Sequence, residues 1–320
     1  MNKKLVKILR YEFWPMWVFY APFAPYWIWN SLRSGSFSYF CKANPGMKFG
    51  GFLDYSKYEI LKQIPTEFRP ETTFLPHKNQ LRSLPDFPFV AKPDTGERGV
   101  NVEVIRNLSD WENYIPEENL IIQEFIDLPV EFGVFYARLP GENAGKILSV
   151  TGKEFLKFES DGNGTLRDFI EKNTRASFRK KYLVHKFKNQ LDIVYPKGKQ
   201  ILLEPIGNHN RGTKFYDASH LISDELTEKI NAVSKEINGF YYGRFDVKSN
   251  SETEFQNGKF KILEINGSNS EPTHIYDPRF NLFEAYREVR YHLNIQFRIS
   301  QKNPPNGSDA EFFKAVWKRF

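Results

Sequence analysis

Three oxygen-bearing side chains near the C-terminal end of the chain have the types and the spacing of a cation site. Asp246 interrupts one apolar run, and Glu264 and Asn266 lie two residues apart in a second one. Successive side chains of a strand point to opposite faces, so Glu264 and Asn266 share a face, and Asp246 joins them if the two strands are neighbours. Carboxylate and amide oxygens suit a magnesium ion that bridges nucleotide phosphates. The set therefore indicates a candidate ATP-using enzyme.

The residues around these side chains argue against a solvated position. Acids on strands usually lie at solvated edges, but the neighbours here are strongly apolar, among them Phe245, Val247 and Leu263. A buried carboxylate without a partner is unfavourable, so a cation or a basic side chain is expected beside it.

A lysine that follows an apolar run is the second chemical signal. Lys92 comes after residues 87–91, and the loop 94–100 that follows contains Thr95, Gly96 and Gly99. Backbone N–H groups of such a loop can approach phosphate oxygens, and the lysine adds a point charge. The GxxxxGK[ST] order of a P-loop is absent. Taken alone, the pattern is more often a simple turn.

The third signal is the apolar run 121–126, which contains Glu124 and is followed by Glu131. An apolar strand with an adjacent acid can supply a slot for adenine and a partner for a ribose hydroxyl. The alternative is a core strand with a solvated acid, and the run on its own favours that alternative.

Length and composition indicate a globular protein of one large domain or of two or three lobes. The chain has 320 residues, of which 40% are hydrophobic and 26% are charged. Its single cysteine, Cys41, excludes an internal disulfide and favours an intracellular location. The net charge of +6 points to an anionic membrane or to phosphate ligands, since no nucleic-acid-binding motif is present. The histidines lack the spacing of a zinc site.

The N-terminal segment is first basic and then strongly aromatic. Residues 3–10 contain four lysines and arginines, and residues 11–29 hold four of the six tryptophans. The uncharged run 13–29 has 17 residues and three prolines, which is marginal for a bilayer span and interrupts a helix. No small-residue cleavage site follows, which argues against a signal peptide.

We expect residues 1–30 to form an interfacial membrane segment. Trp and Tyr prefer the headgroup region, and flanking Lys and Arg suit an anionic cytoplasmic surface. The alternative is an aromatic arm that packs against the body of the protein or a partner subunit. A true membrane span is the third possibility.

The elements that must position these side chains alternate between helices and strands. Capping residues and periodicity predict helices at 56–62, 108–114, 168–182, 224–238, 282–297 and 311–320. Apolar alternation predicts strands at 87–91, 100–105, 120–126, 132–139, 146–150, 241–247 and 260–265, the last two joined by a polar turn at 250–258. This interleaving indicates an α/β or α+β fold.

The order of the three signals resembles that of the ATP-grasp superfamily. Within it, the chain is similar to carboxylate–amine ligases such as D-alanine–D-alanine ligase and cyanophycin synthetase. The resemblance covers about residues 56–281 and lies in the ordered combination rather than in one motif. It implies an α+β ATP-grasp fold, with two α/β lobes that clasp ATP, a short aromatic N-terminal segment and a C-terminal helical tail.

The resemblance also implies roles for individual residues. Lys57 and Lys92 match the phosphate-contacting lysines, and Lys153 lies where a ligase lysine reaches the γ-phosphate. Arg211 is implied as the group that holds the acyl phosphate or the substrate carboxylate. The implied metal ligands, for two Mg²⁺ ions that Mn²⁺ can replace, are Asp246, Glu264 and Asn266. The other implied ATP contacts are Thr95, Gly96, Gly99 and Val100 in the loop over the phosphates, Glu124, Phe125 and Ile126 at the adenine, and Glu131 at the ribose.

Two segments match the cyanophycin synthetase type, and two features depart from it. Residues 160–168 look like its GDGxxT segment, and residues 208–213 stand where that group has a glycine-rich turn. The family ligases usually continue with Pro-Gly after the acid-x-Asn motif, whereas this chain has Gly-Ser-Asn-Ser-Glu-Pro at 267–272. The lobe before Lys57 is also short and aromatic. We therefore expect acceptor recognition to be rebuilt, with the loop 44–51 as a candidate.

The expected activity is the ATP-dependent joining of a carboxylate to an amine through an acyl phosphate. The aromatic segment suggests an envelope- or lipid-linked substrate. Two alternatives remain open, a kinase or phosphotransferase on the same scaffold and a non-catalytic, membrane-bound nucleotide-binding protein. His209 and His274 are expected to be hydrogen-bonding scaffold rather than catalysts.

The expected organisation has four parts. These are an aromatic, basic segment at 1–40, a short region at 41–75, an ATP-grasp domain at 76–296 and a tail at 297–320. We expect a cytoplasmic protein at the inner face of the membrane, with small-molecule or lipid-linked substrates and no nucleic-acid partner. An oligomer is compatible with the sequence.

Overall fold

The computed structural model describes residues 3–81, 83–96, 99–116 and 118–318, apart from the side chains of residues 3, 4 and 7. Residues 97 and 98 of the predicted phosphate loop lie outside the described residues, as do most of the basic side chains expected before residue 10.

The helices have mostly short spans. They are α1 (Lys3–Leu9), α2 (Met16–Tyr20), α3 (Ala24–Ser34), α4 (Lys57–Leu61), α5 (Leu108–Glu112), α6 (Leu166–Lys172), α7 (Thr174–Phe178), α8 (Lys180–Lys186), α9 (Asp224–Glu236), α10 (Glu252–Gln256), α11 (Leu282–Ser300) and α12 (Asp309–Trp317). The strands are β1 (Thr72–His77), β2 (Phe89–Pro93), β3 (Glu103–Ile105), β4 (Glu118–Glu124), β5 (Val130–Ala137), β6 (Lys146–Glu154), β7 (Lys157–Glu159), β8 (Gln200–Leu202), β9 (Lys214–Asp217), β10 (Tyr242–Ser249) and β11 (Lys261–Asn266).

Two antiparallel sheets form the frame of the molecule. The four-stranded sheet has the order β1-β4-β2-β3, and the five-stranded sheet has the order β11-β10-β5-β6-β9. A further pair is formed by β7 and β8. Helices cover both main sheets, which confirms the predicted α+β class.

Alternation along the strands gives the five-stranded sheet one apolar face. Phe132 and Val134 of β5 and Phe245 and Val247 of β10 pack in the main core, together with Ile230 of α9. The intervening residues point the other way, because successive strand side chains alternate. The residues on that second face that line a cavity are Glu131, Arg244, Asp246 and Lys248.

The four-stranded sheet has a separate core. Phe89 and Ala91 of β2 and Ile122 of β4 pack there against Trp111 of α5. Each sheet therefore belongs to its own lobe, and the charged face of the larger sheet is turned to the space between the lobes.

The aromatic N-terminal segment packs against the body, as the alternative to a membrane segment proposed. Phe19 of α2 is buried in one cluster with Ala285 and Val289 of α11. The hydroxyl of Tyr11 donates a hydrogen bond to the carbonyl oxygen of Ile275 at 2.5 Å. Within the ranges that the structure describes, no helix has both the length and the apolar content that a membrane crossing requires.

Three predicted elements differ from the structure for local reasons. The predicted helix 168–182 is divided into α6, α7 and α8, because Asn173 is extended and its side chain caps α7. The predicted turn 250–258 contains α10, which Ser251 caps. The predicted helix 282–297 extends to Ser300 as α11, because its apolar face continues through Phe297 and Ile299, both buried.

Candidate active site

A large cavity lies between the two lobes. Its volume is about 1150 Å³, which exceeds the roughly 300–1,000 Å³ of a typical small-molecule site. Strands β2 and β4 line it on one side, and β5, β6, β10 and β11 line it on the other. Motifs that are far apart in sequence therefore meet across one space.

The structure brings the three candidate metal ligands together. Asp246 of β10 and Glu264 of β11 are directly opposite each other in an antiparallel pair. The side-chain amide of Asn266 donates to a carboxylate oxygen of Asp246 at 3.1 Å. All three line the cavity. The strand pairing on which the sequence argument depended is therefore present.

Asp246 is held by two cationic side chains. The ammonium of Lys153 lies 3.1 Å from its Oδ1 and 2.7 Å from Oε1 of Glu131. The guanidinium of Arg244 binds both oxygens of Asp246, at 3.0 and 3.1 Å. Burial alone would raise the pKa of Asp246, but the charges of Arg244 and then Lys153 outweigh it and hold that pKa well below its usual range. The carboxylate is therefore ionised at neutral pH.

Glu264 is paired with a lysine from α4. The ammonium of Lys57 lies 3.0 Å from its Oε1, and Lys57 is buried. Burial opposes ionisation of Glu264, but the charges of Lys57 and Lys92 lower its pKa below the usual value.

Asp94 ties the start of α4 to the loop after β2. Its backbone carbonyl accepts from the N–H of Lys57 at 3.1 Å, and its carboxylate accepts from the hydroxyl of Ser56 at 2.9 Å and from the N–H of Tyr58 at 2.8 Å. The predicted phosphate loop and the predicted first lysine are thus joined in one local structure.

Two further buried lysines have no ion-pair partner in the part of the chain that the structure describes. Among the described residues, no carboxylate oxygen lies within 4.0 Å of the ammonium of Lys92 or of Lys248, and both side chains are at least nine-tenths buried. Lys92 donates to Oε1 of Gln123 at 3.0 Å, and Lys248 donates to the carbonyl oxygen of Ile126 at 3.0 Å. A buried charge without a counterion is unfavourable, so an anionic ligand in the cavity would stabilise the charged form of these two lysines.

The pKa values of the two lysines reflect this environment. Burial lowers the pKa of Lys92 to about 8, and the charge of Glu264 offsets part of that effect. Burial also lowers the pKa of Lys248, again against the opposing charge of Glu131. An anion placed beside either ammonium would raise its pKa, because opposite charge favours the protonated form.

Only part of the predicted phosphate loop reaches the cavity. Gly99 lines it, whereas Thr95, Gly96 and Val100 are absent from the described lining, and Val100 is 62% exposed. Gly99 has a φ of +69°, a left-handed conformation that favours glycine.

Arg211 contacts that loop. Its guanidinium donates to the carbonyl oxygens of Gly99 and Val102, at 2.8 and 3.2 Å, and lies 3.6 Å from Glu204. Arg211 is also absent from the described lining of the main cavity. This geometry supports a role in holding the loop, in place of the substrate contact that the resemblance implied.

The predicted adenine and ribose contacts are on the cavity wall. Glu124, Phe125, Ile126 and Glu131 all line it. The ammonium of Lys248 lies 5.5 Å from the centre of the Phe125 ring, which is within cation–π range. The apolar side chains of Val90, Val104 and Leu263 also line the cavity.

Some segments that matched the resemblance make contacts that hold the fold together, although His209 also lines the cavity. In residues 160–168, Asp161 closes a turn and Thr165 forms a capping box with Asp168 at the start of α6. A ring nitrogen of His209 lies 3.3 Å from Glu12, which Arg175 also binds. These contacts attach the N-terminal segment to the larger lobe.

His274 also has a scaffold position. It is buried, and its Nε2 lies 3.8 Å from a carboxylate oxygen of Glu288 on α11.

Arg244 and Lys248 are site residues that sequence reasoning missed. Each lies two positions from Asp246, so strand alternation places both on the face of Asp246. The rule that grouped Glu264 with Asn266 would have found them. Gln123, which binds Lys92, gives no comparable signal because neutral amides are common on strands.

The loop after β11 contacts the loop 44–51; Ser268 lines the cavity, whereas residues 44–51 are absent from its described lining. The N–H of Ser268 donates to the carbonyl oxygen of Gly50 at 2.9 Å. A Cβ atom on Gly267 would lie 2.5 Å from that same oxygen, so only glycine fits there. The segment 267–272, which departs from the family pattern, is therefore in direct contact with the loop 44–51.

The donor set fits a magnesium ion that is shared with phosphates. Within the described ranges, no cluster of three His, Cys, Asp or Glu side chains has a metal-binding arrangement. Two carboxylates and one amide are present instead, and Mg²⁺ commonly takes one or two carboxylates and completes its shell with water and phosphate oxygens. Asp246, Glu264 and Asn266 are the residues that would hold it.

Comparisons with known proteins find distant likeness in structure and none in sequence. No protein-family model matches the chain, and no curated protein matches it. A bifunctional glutathione synthetase from Pasteurella multocida is 12% identical, with a TM-score of 0.38, over 75% of this chain and 38% of that one. The chain therefore spans well under half of that enzyme.

Two other solved structures give similar values. D-alanine–D-alanine ligase from Bacillus anthracis is 13% identical, with a TM-score of 0.39, over 75% of this chain and 68% of that one. The ATP-grasp ligase PsnB, in a complex with Mg and ADP, is 11% identical, with a TM-score of 0.39, over 75% and 58% of the two chains.

Proposed function

We propose that this chain is an ATP-grasp ligase that joins a carboxylate to an amine at the expense of ATP. One observation carries the proposal: Lys92, Lys248, Asp246 and Glu264 line a single cavity. Both lysines are buried, and neither has a counterion among the described residues. Cations for phosphate oxygens and carboxylates for a divalent ion are both required by phosphoryl transfer, and neither set alone would suffice.

The reaction would proceed in two steps. A substrate carboxylate oxygen attacks the γ-phosphorus, the bond to the β-phosphate oxygen breaks, and acyl phosphate and ADP form. The amine then attacks the acyl carbon and displaces phosphate, with loss of a proton, to give the amide. Mg²⁺, when bound, supplies charge stabilisation between the phosphate groups.

The protein would contribute positioning and charge. Lys92 and Lys248 would bind phosphate oxygens as negative charge moves toward the leaving group. Lys153 would stay close to the transferred group, because Glu131 and Asp246 hold it at the floor of the cavity. Arg211 would keep Gly99 in place above the phosphates.

A screen for ADP release tests this function. We expect the purified chain to release ADP and phosphate only when a carboxylate and an amine are both present, across a panel that includes lipid amines. ADP release with a carboxylate or alcohol alone, together with a stable phosphorylated product, would instead favour a kinase. No ADP release with any pair, despite ATP binding, would favour the non-catalytic alternative.

We also propose that the N-terminal segment rests on an anionic membrane surface. Packing covers Phe19, but Trp17 and Trp29 are 77% and 60% exposed. Ile28 and Leu32, one turn apart on α3, are exposed as well. Exposed Trp and aliphatic side chains beside a basic N-terminus suit the interfacial region of a bilayer. An envelope- or lipid-linked substrate would be reached from this position.

Vesicle sedimentation tests the membrane proposal. The chain should sediment with vesicles that contain phosphatidylserine, and the double variant Trp17→Ser, Trp29→Ser should lose most of this binding while it retains ATP binding. Phe283→Ser is the matched control, since Phe283 is 79% exposed at the start of α11. Equal sedimentation of all three proteins would contradict the proposal.

A further inference from the structure

The cavity continues past the phosphate-binding groups into an aromatic region. Side chains from the N-terminal segment, the following loop and the C-terminal helix line it there: Trp14, Phe23, Trp27, Phe40, Phe312 and Phe313. Phe40 and Phe312 pack in a cluster that contains no residue of β2, β3 or β4, the strands beside the proposed adenine slot. The aromatic part of the lining therefore belongs to a packed cluster that is separate from the core of the smaller sheet.

The aromatic lining is a fixed surface. The rings of Phe40 and Phe52 have centroids 4.7 Å apart, and both rings contact Phe312, at 5.4 and 5.5 Å. Rings that hold one another at these distances gain from both burial and ring–ring geometry. Such a surface favours an apolar ligand part, because water beside it has no polar partner.

Next to this surface lies a group of buried polar atoms without partners. Among the described residues, nothing forms a hydrogen bond with Oγ of Ser268, Oδ1 of Asn269 or either ring nitrogen of His292, and all three residues line the cavity. Ser268 is 6% exposed and His292 is 1% exposed. Buried polar atoms are almost always satisfied, so unpaired atoms in residues of the cavity wall leave hydrogen bonds that a ligand in the cavity can complete.

The chemistry of these atoms suits a polar head group. Burial, reinforced by the charge of His274, lowers the pKa of His292 to about 3, so its ring is neutral. A neutral imidazole offers one donor and one acceptor nitrogen, the hydroxyl offers both functions, and the amide oxygen accepts. Ser268 itself is fixed by Gln296, whose amide donates to its carbonyl oxygen at 2.6 Å.

We infer that one substrate is amphipathic, with its polar head at Ser268, Asn269 and His292 and an alkyl-like chain along the aromatic lining. The inference rests on the proposed ligase function, because Ser268 and Asn269 lie two and three residues after Asn266, the last residue of β11. The head therefore lies beside the candidate metal ligands, where the carboxylate and the amine must meet. Either reactant can carry the chain.

Calorimetric titration of the full chain, with ADP and Mg²⁺ present, tests the inference and identifies the reactant. One series uses butylamine, octylamine and dodecylamine, and the other uses butanoate, octanoate and dodecanoate, all below their micelle concentrations. We expect the affinity to rise by about tenfold or more from the four-carbon to the twelve-carbon compound in one series, because each buried methylene adds to binding. That series names the reactant that carries the chain.

Two pairs of variants separate the subsite from general effects on the fold. Ser268→Ala removes an unpaired hydroxyl and should weaken dodecyl binding severalfold. Ser149→Ala is its matched control, since Ser149 is also buried and unpaired but does not line the cavity. Phe23→Ala should flatten the dependence on chain length, and Phe283→Ala, an exposed position, should leave it unchanged.

The failures of the two proposals are distinguishable. ATP binding with no chain-length dependence in either series would overturn this inference alone. Competition between ATP and the dodecyl compound would also overturn it, because the chain would then occupy the nucleotide region. Chain-length dependence without any ATP binding would overturn the ligase function and leave the amphipathic subsite standing.

Discussion

Glu264→Gln should lower ATP turnover by at least about 100-fold, which corresponds to roughly 3 kcal/mol of lost transition-state stabilisation. Glu264 of β11 lies directly opposite Asp246 of the adjacent strand β10, and 26% of its side chain is accessible. Its amide analogue keeps the size and one oxygen but removes the charge that a divalent ion and Lys57 both use. Initial rates of ADP release, at saturating ATP and several Mg²⁺ concentrations, measure the effect.

The matched control for this change is Glu142→Gln, at an exposed turn. It should leave the rate unchanged, and thermal unfolding should show that both variants fold. Because Lys57 is 5% exposed and loses its charged partner, Glu264→Gln should also unfold at a lower temperature than the wild type. Turnover of Glu264→Gln near the wild-type rate would rule out the assigned role of this carboxylate.

Lys92→Met should reduce kcat/KM for ATP by a similar factor and should not destabilise the protein. Lys92 is 4% exposed and has no described carboxylate within 4.0 Å. Replacement of a buried, unpaired charge by an apolar side chain removes an unfavourable burial term, so the variant should unfold at the same or a higher temperature. Function and stability should therefore change in opposite directions, as is common for catalytic residues.

The pH dependence of Lys92 provides a second measurement. Its folded pKa of about 8 lies below the ordinary value of 10.5. In the nucleotide-free protein, the cost of burying the charged lysine is therefore present below pH 8 and disappears above about pH 10.5. The stability advantage of Lys92→Met should be largest below pH 8 and should shrink as the pH rises through that window.

The activity of the wild type should also depend on the protonation of Lys92. In the wild type, kcat/KM for ATP should fall as the pH rises through about 8, because the protonated lysine is the form that binds phosphate and kcat/KM reports the free enzyme. Lys235→Met, at an exposed position of α9, is the control for both profiles. A pH profile that is identical in wild type and Lys92→Met would contradict this account.

Local patterns in the sequence were sufficient to find much of the frame. Alternation along residues 241–247 and 260–265 predicted two strands and the shared face of Glu264 and Asn266, and the structure pairs these strands as β10 and β11. Capping residues predicted the start of α4 at Ser56 in the same way. Such features follow from the geometry of the backbone over a few residues, which is why one sequence reveals them.

The contacts of Arg211 and Lys153 could not be predicted from local sequence patterns. Both were placed by motif order, and the structure sends Arg211 to the carbonyl of Gly99 and Lys153 between Glu131 and Asp246. The direction of a long basic side chain depends on which carboxylates and carbonyls surround it. Those partners come from distant parts of the chain, so spacing alone could not supply them.

The sequence by itself determined the chemical inventory: two carboxylates and an amide on two predicted strands, lysines before them, and an aromatic N-terminus. Only the tertiary structure decided that Lys92 and Lys248 are buried without a described counterion and that the aromatic segment continues the cavity wall. The reason is physical. Residue type and alternation are properties of short segments, whereas burial, pKa and the partner of a charge depend on surfaces that meet only when the lobes and the N-terminal helices pack together.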